Sequence, residues 1–179
     1  MQAADLSTTY FELFGLPASY AVDGEVLAQR YRELQRAVHP DRFANAQDAE
    51  RRLSVQLASR INEGFRTLKD PLARARYLLE IAGVEMNDRD TQLDGAFLMD
   101  QMELRERLDD AKAAKDSGQR LSALSRDIGE REQALLGELA DLFQTPTQEA
   151  LLQARTLTRK LQFFRRLAEE LDELEAESD

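Results

Sequence analysis

Glu25-Val-Leu-Ala-Gln-Arg-Tyr-Arg-Glu-Leu-Gln-Arg-Ala-Val38 runs directly into His39-Pro40-Asp41, and a second helix-like segment follows from about Gln47 to Leu68. Pro40 disfavours helix at His39 and fixes its own φ, so the tripeptide reads as an exposed turn. Asp23 supplies a cap for a helix over 24–38. Its Leu27, Tyr31, Leu34 and Val38 fall within roughly 60° of one another at the helical repeat, which leaves Arg32 and Arg36 on the opposite face. The following segment carries Leu53, Leu57, Ile61, Phe65 and Leu68 at spacings of four and three. Two such stripes predict an antiparallel helical hairpin with His39, Pro40 and Asp41 at its tip.

A short helix around 8–14 and another from Pro71, capped by Asp70 and ended near Gly83, can close a core over the hairpin. Residues 84–95 lack periodicity and read as a connection. Three further amphipathic stretches follow. The first spans 96–115. The second spans 119–143, with Leu121, Leu124, Ile128, Leu135, Leu139 and Leu142 in one stripe. The third opens on Thr145-Pro-Thr-Gln148, read as a capping box with proline at the first helical position. Its acidic end after Glu169 is expected to fray. Short loops between the three imply an antiparallel bundle. The expected fold is all-α: a first domain over 1–78, a connection over 79–95 and a three-helix bundle over 96–179.

Composition narrows the function classes. The chain has 179 residues, 42% hydrophobic and 32% charged, with no cysteine and one histidine. Disulfides and thiolate metal sites are excluded, and a typical zinc site fails on ligand count. No apolar run is long enough to span a membrane, and the N-terminus lacks the pattern of a secretion signal, so the cytoplasm is the default compartment. The net charge of −10 disfavours nucleic-acid binding. Residues 25–76 hold eleven Lys and Arg against seven Asp and Glu, whereas residues 77–179 hold thirteen against twenty-four. That asymmetry points to two halves with different partners.

Two groups of residues stand out. His39 and Asp41 could form a docking element, an ordinary helix-ending turn, or a general acid–base pair without a marked nucleophile nearby. Arg30, Arg32, Arg36 and Arg42 beside them make either a solvated face or a basic patch that steers an acidic partner. In the stretch 96–115, Phe97, Leu104, Leu108 and Ala111 share the expected core face. Leu98, Met99 and Met102 lie about 100–200° around the helix, beside Glu103 and Glu106. Periodicity leaves two readings open for these three: an adaptable partner-binding patch, or a helix packed on two sides.

Tyr10-Phe11-Glu12-Leu13-Phe14-Gly15-Leu16, then His39-Pro40-Asp41, then Leu68-Lys69-Asp70-Pro71 with Arg74, Arg76 and Tyr77, resembles a J-domain. This is the module by which co-chaperones engage DnaK/HscA-type ATPase chaperones. Arg42 stands where a lysine commonly follows the tripeptide, and Phe65 where many J-domains have tyrosine. Farther along, Phe97-Leu-Met-Asp-Gln-Met-Glu-Leu-Arg-Glu-Arg-Leu-Asp109, Asp70-Pro-Leu-Ala-Arg-Ala-Arg-Tyr-Leu-Leu79 and Arg159-Lys-Leu-Gln-Phe-Phe-Arg-Arg-Leu167 resemble the HscB family of iron–sulfur-cluster co-chaperones. The resemblance covers nearly the whole chain. It implies that His39, Pro40, Asp41, Arg30, Arg32, Arg36 and Arg42 dock on an HscA-type chaperone and stimulate its ATPase. It implies further that Leu98, Met99, Met102, Glu103, Arg105, Glu106 and Phe163 bind an IscU-type scaffold. The family often has leucine in place of Met102, and a Phe-Leu pair where this chain has Phe163-Phe164. No catalytic residue, cofactor, membrane or nucleic acid is implied. The alternative is a J-domain co-chaperone with a different client.

Overall fold

The computed structural model describes residues 8–39, 47–86 and 95–178. Among these residues there are seven α-helices and no strand: α1 Tyr10–Phe14, α2 Gly24–Ala37, α3 Asp48–Lys69, α4 Pro71–Ile81, α5 Gly95–Ala113, α6 Ser117–Gln144 and α7 Gln148–Ser178. The chain divides into two compact units, Met1–Gly83 and Val84–Asp179. Because α4 continues to Ile81, the first unit extends past residue 78. Among the described residues no helix is long and apolar enough to cross a membrane.

In the first unit, the Asp23 carboxylate accepts from the amides of Glu25 (2.9 Å) and Val26 (3.1 Å) and starts α2. Asp70 does the same for α4 through the Ala73 amide at 2.7 Å. The core is built from Phe11, Phe14, Leu27, Val38, Leu57, Ile61, Leu68 and Leu79. The buried stripe of α3 is Ser54, Leu57, Ile61, Gly64 and Leu68, so the expected stripe is corrected at two places. Leu53 is 37% exposed. Phe65 is only half buried and stacks on Tyr31 with ring centroids 4.2 Å apart. At residue 64 no side chain is present, and α1 lies close against α3 there. A Cβ on Gly64 would stand 2.9 Å from Cδ1 of Tyr10 and 3.0 Å from Cε2 of Phe14. Arg74 is buried, and its guanidinium donates to the carbonyls of Leu68 (2.7 Å), Lys69 (3.3 Å) and Tyr20. One side chain thus joins the end of α3 to the segment before α2.

Gly64→Ala is expected to lower the stability of this unit by about 1 kcal/mol. Crowding against the two rings costs about 1–3 kcal/mol, and the better helix propensity of alanine returns about 1 kcal/mol. A denaturant titration checks it. An unchanged midpoint would show that α1 moves aside freely.

The second unit is the expected three-helix bundle. Its core holds Phe97, Leu104, Leu108 and Ala111 of α5, Leu121, Leu124, Ile128, Leu135 and Leu139 of α6, and Leu151, Ala154, Leu161, Phe164, Leu167 and Leu171 of α7. Charged side chains cross the α5–α6 seam as a ladder. Arg131 bonds Asp100 at 2.7 Å and Asp127 at 3.1 Å, and Asp127 also accepts from Arg107 at 2.7 Å. These pairings run in opposite chain directions, so α5 and α6 are antiparallel. Phe97 against Phe164, and Arg105 against Glu170, place α7 parallel to α5.

Two expectations about α7 are corrected. The helix begins at Gln148, and it is the Thr147 hydroxyl that accepts from the Ala150 amide at 3.2 Å. Thr147, not Thr145, therefore carries the cap, and Pro146 precedes the helix instead of occupying its first turn. The acidic end is also helical, through Ser178. Leu171 is fully buried there, and Glu170 is held by Arg105 and Lys112.

Glu132 of α6 is mostly covered. Arg165 approaches its Oε1 at 3.5 Å, and that oxygen has no hydrogen bond. Burial pushes its carboxyl up, Arg165 offsets this in part, and Glu169 and Asp172 add repulsion. The folded state therefore binds this proton more tightly than the unfolded state. Stability falls as pH rises from the usual glutamate value through the raised one. Glu132→Gln is expected to raise the bundle's melting temperature at neutral pH, with a gain within about 1 kcal/mol, and to flatten the pH dependence in that window. A lower melting temperature would mean that the Arg165 pair outweighs burial.

Candidate functional site

The first candidate surface starts from α2. Its hydrophobic face is spent on the core, so Arg30, Arg32 and Arg36 are exposed. Arg30 donates to Glu33 at 3.1 Å. Hydrogen bonds from Gln29 and from Arg30 hold the Glu33 carboxyl below its usual range. Arg30 thus shares its charge with its own helix. Val38 closes α2, with its amide bonded to the Leu34 carbonyl at 3.2 Å. His39 follows immediately and is exposed. Pro40, Asp41 and Arg42 lie outside the described residues.

The second surface is the outer side of α5. Burial of Phe97, Leu104 and Leu108 fixes the helix's rotation. The same rotation turns Leu98, Met99 and Met102 outward, at 53%, 73% and 67% exposure. Three large apolar side chains within five residues are all open to solvent, a chemistry that can serve to bind a partner. Glu103 and Glu106 are exposed beside them, and Asp109 and Asp110 continue the acidic border. These last two were not among the sequence candidates, although their spacing of three and four from Glu106 already puts them on the same side.

On α7, Phe164 is buried and Phe163 half buried. Both rings meet Phe97 edge-on, at centroid distances of 5.7 Å for Phe163 and 5.9 Å for Phe164. Phe163 therefore sits alongside the first turns of α5, where the apolar patch begins. Lys160, three residues earlier, holds its ammonium 5.2 Å above the Phe97 ring. It is a further side chain at this surface that the sequence candidates did not include. Arg105 is engaged within the bundle: its guanidinium bonds Glu170, which Lys112 also reaches at 3.2 Å. The bond from Arg105, with that from Lys112, holds the Glu170 carboxyl below its usual range against the opposing effect of burial. Of the seven residues expected at this surface, Leu98, Met99, Met102, Glu103 and Glu106 project outward from one helix, Phe163 adjoins them from another, and Arg105 anchors the two helices to each other.

Among the described residues, neither surface pairs a nucleophile with a base. One presents cations and an imidazole. The other presents an apolar patch with an acidic border. Both are suited to holding other proteins.

Comparison with known proteins gives consistent matches. The family model described as the HSCB C-terminal oligomerisation domain matches residues 93–172. A protein of Shewanella woodyi named as a co-chaperone protein HscB homolog is 42% identical over 167 residues, 93% of this chain and 96% of its own length. One from Shewanella halifaxensis is 45% identical over the same extent. The solved structure of the chaperone HscB from Vibrio cholerae superposes with a TM-score of 0.84 at 40% identity, covering 95% of this chain and 99% of that one. The crystal structure of the human co-chaperone protein HscB gives 0.86 at 28% identity, covering 96% of this chain and 84% of that one.

Proposed function

The chain belongs to the HscB co-chaperone family, and on that premise we propose that it delivers an IscU-type iron–sulfur scaffold to an HscA/DnaK-type chaperone in the cytoplasm. The observation that carries the reading is the solvent-facing Leu98, Met99 and Met102 on a helix whose other side is fully packed. Burying such side chains against a partner yields about 1.5–3 kcal/mol each. The scaffold is held there, with Phe163 at one border and Glu103 and Glu106 at the other.

The first unit addresses the chaperone. Arg32 and Arg36 raise the encounter rate with an acidic chaperone surface. The segment His39-Pro40-Asp41 then engages the ATPase domain and accelerates hydrolysis. The chain contributes no bond-making chemistry. The nucleotide belongs to the chaperone and the cluster to the scaffold.

Single-turnover ATP hydrolysis by an HscA-type chaperone tests the reading. The chain alone is expected to accelerate hydrolysis, and the chain with scaffold to accelerate it further. Acceleration by the chain with no added effect of a scaffold would favour a different client.

A further inference from the structure

The chain has no cysteine and four methionines. Its two-electron sulfur chemistry therefore rests on thioethers. Met1 lies outside the described residues, and Met86 is half buried. Met99 and Met102 are the open ones, at 73% and 67% exposure, and they sit three residues apart on the outer side of α5. The most accessible described thioethers thus coincide with the apolar patch assigned to the scaffold.

We infer that Met99 and Met102 form a reversible oxidation site that switches scaffold docking off in the presence of peroxide. The inference rests on the proposed scaffold-binding role of this patch. A thioether sulfur attacks one oxygen of hydrogen peroxide. The O–O bond breaks, an S–O bond forms, and the second oxygen leaves as water with both protons. Sulfur loses two electrons and the peroxide gains them. The product is methionine sulfoxide, a polar group in place of an apolar one. Reduction by a thiol-dependent sulfoxide reductase returns the thioether, with two thiols oxidised to a disulfide and the oxygen released as water.

The neighbourhood makes this change costly to binding. A sulfoxide oxygen accepts hydrogen bonds and has none to donate. The nearest polar side chains along the outer face, Glu103 and Glu106, also only accept when ionised. Arg105, the adjacent donor, is drawn toward α7 by its bond to Glu170. Closing a partner over an oxidised patch therefore desolvates a polar oxygen where an apolar group was buried before. That weakens binding by at least about tenfold. In the free chain the same oxygen is solvated, so folding is little affected.

The test uses the full chain, hydrogen peroxide and an IscU-type scaffold without its cluster. Sulfoxides are mapped by mass spectrometry over a peroxide titration, and scaffold affinity is measured calorimetrically before and after. Met99 and Met102 are expected to oxidise ahead of Met86, and saturating scaffold is expected to slow them. Affinity should fall at least about tenfold and return after treatment with a sulfoxide reductase and dithiothreitol. In a Met99→Leu, Met102→Leu chain the ratio of affinities before and after peroxide should be close to one, whatever the starting affinity. Scaffold-independent stimulation of the chaperone should survive peroxide, which shows that the chain remains folded. Full oxidation at both positions with unchanged affinity overturns the inference alone, as does oxidation of Met86 first. An untreated chain that does not bind scaffold overturns the binding role, and the inference with it.

Discussion

A His39→Gln chain is expected to lose essentially all stimulation of an HscA-type ATPase while melting within about 0.5 kcal/mol of the parent. His39 stands just beyond the closing residue of α2 and is exposed. The core of its unit is built from Phe11, Phe14, Leu27, Ile61, Leu68 and Leu79, without it. Replacing it by an uncharged amide of similar reach alters what a partner meets and leaves the packing alone. Scaffold affinity should be unchanged, because the patch on α5 belongs to the other unit. Single-turnover hydrolysis and a circular-dichroism melt on the same preparation decide the matter. Normal stimulation would mean that His39-Pro40-Asp41 is not the docking element. A large drop in melting temperature would mean that His39 is structural.

Replacing Leu98, Met99 and Met102 together by alanine is expected to weaken scaffold binding by tenfold or more. Each side chain offers about 1.5–3 kcal/mol on burial, and about 1.4 kcal/mol is one decade in affinity. Adding Phe163→Ala should weaken it further, since that ring lies against Phe97 at the edge of the patch. The triple substitution should barely affect the melting temperature, because all three side chains are more than half exposed. Stimulation of the chaperone without scaffold should persist. Calorimetric titration and a thermal melt check the prediction. Lowered stability with unchanged affinity would place the binding surface elsewhere on the bundle.

Periodicity was enough to orient α5 in the bundle, because Phe97, Leu104, Leu108 and Ala111 sit on one narrow stripe. It misplaced part of α3, where the buried positions include Ser54 and Gly64. A pattern built on large apolar residues passes over small ones, and the close approach of Tyr10 and Phe14 to Gly64 is a contact between distant parts of the chain. The start of α7 was ambiguous for a local reason: Thr145 and Thr147 flank one proline, and both can cap. The acidic end of α7 looked unstable as an isolated helix. What holds it is Leu171 in the core and Glu170 against Arg105 and Lys112, partners about sixty residues away in the chain. That Leu98, Met99 and Met102 lie off the core stripe was legible for the same reason; that they face solvent and not a second packing surface was not. Arg105's attachment to α7 was not, because an arginine beside two glutamates on one helix looks like any solvated charge.

The α5–α6 seam is apolar on both sides, Phe97, Leu104, Leu108 and Ala111 facing a row of leucines and Ile128, and a seam of that kind resists separation far more than it resists sliding. A shift of one helical turn, about 5.4 Å, would still lay branched aliphatic groups on one another. It would also part Arg131 from Asp100 and Arg107 from Asp127 at once. Each ion pair contributes little to stability at such partly exposed sites, yet together they make one axial setting of the helix different from its neighbours. The ladder acts as a vernier that fixes the height of α5 against α6, and the bonds of Arg105 and Lys112 to Glu170 set its height against α7, which carries Phe163. A partner that touches both helices would thereby meet a surface whose parts keep a constant spacing. Charges too weak to hold the bundle together would then act as its measure of length.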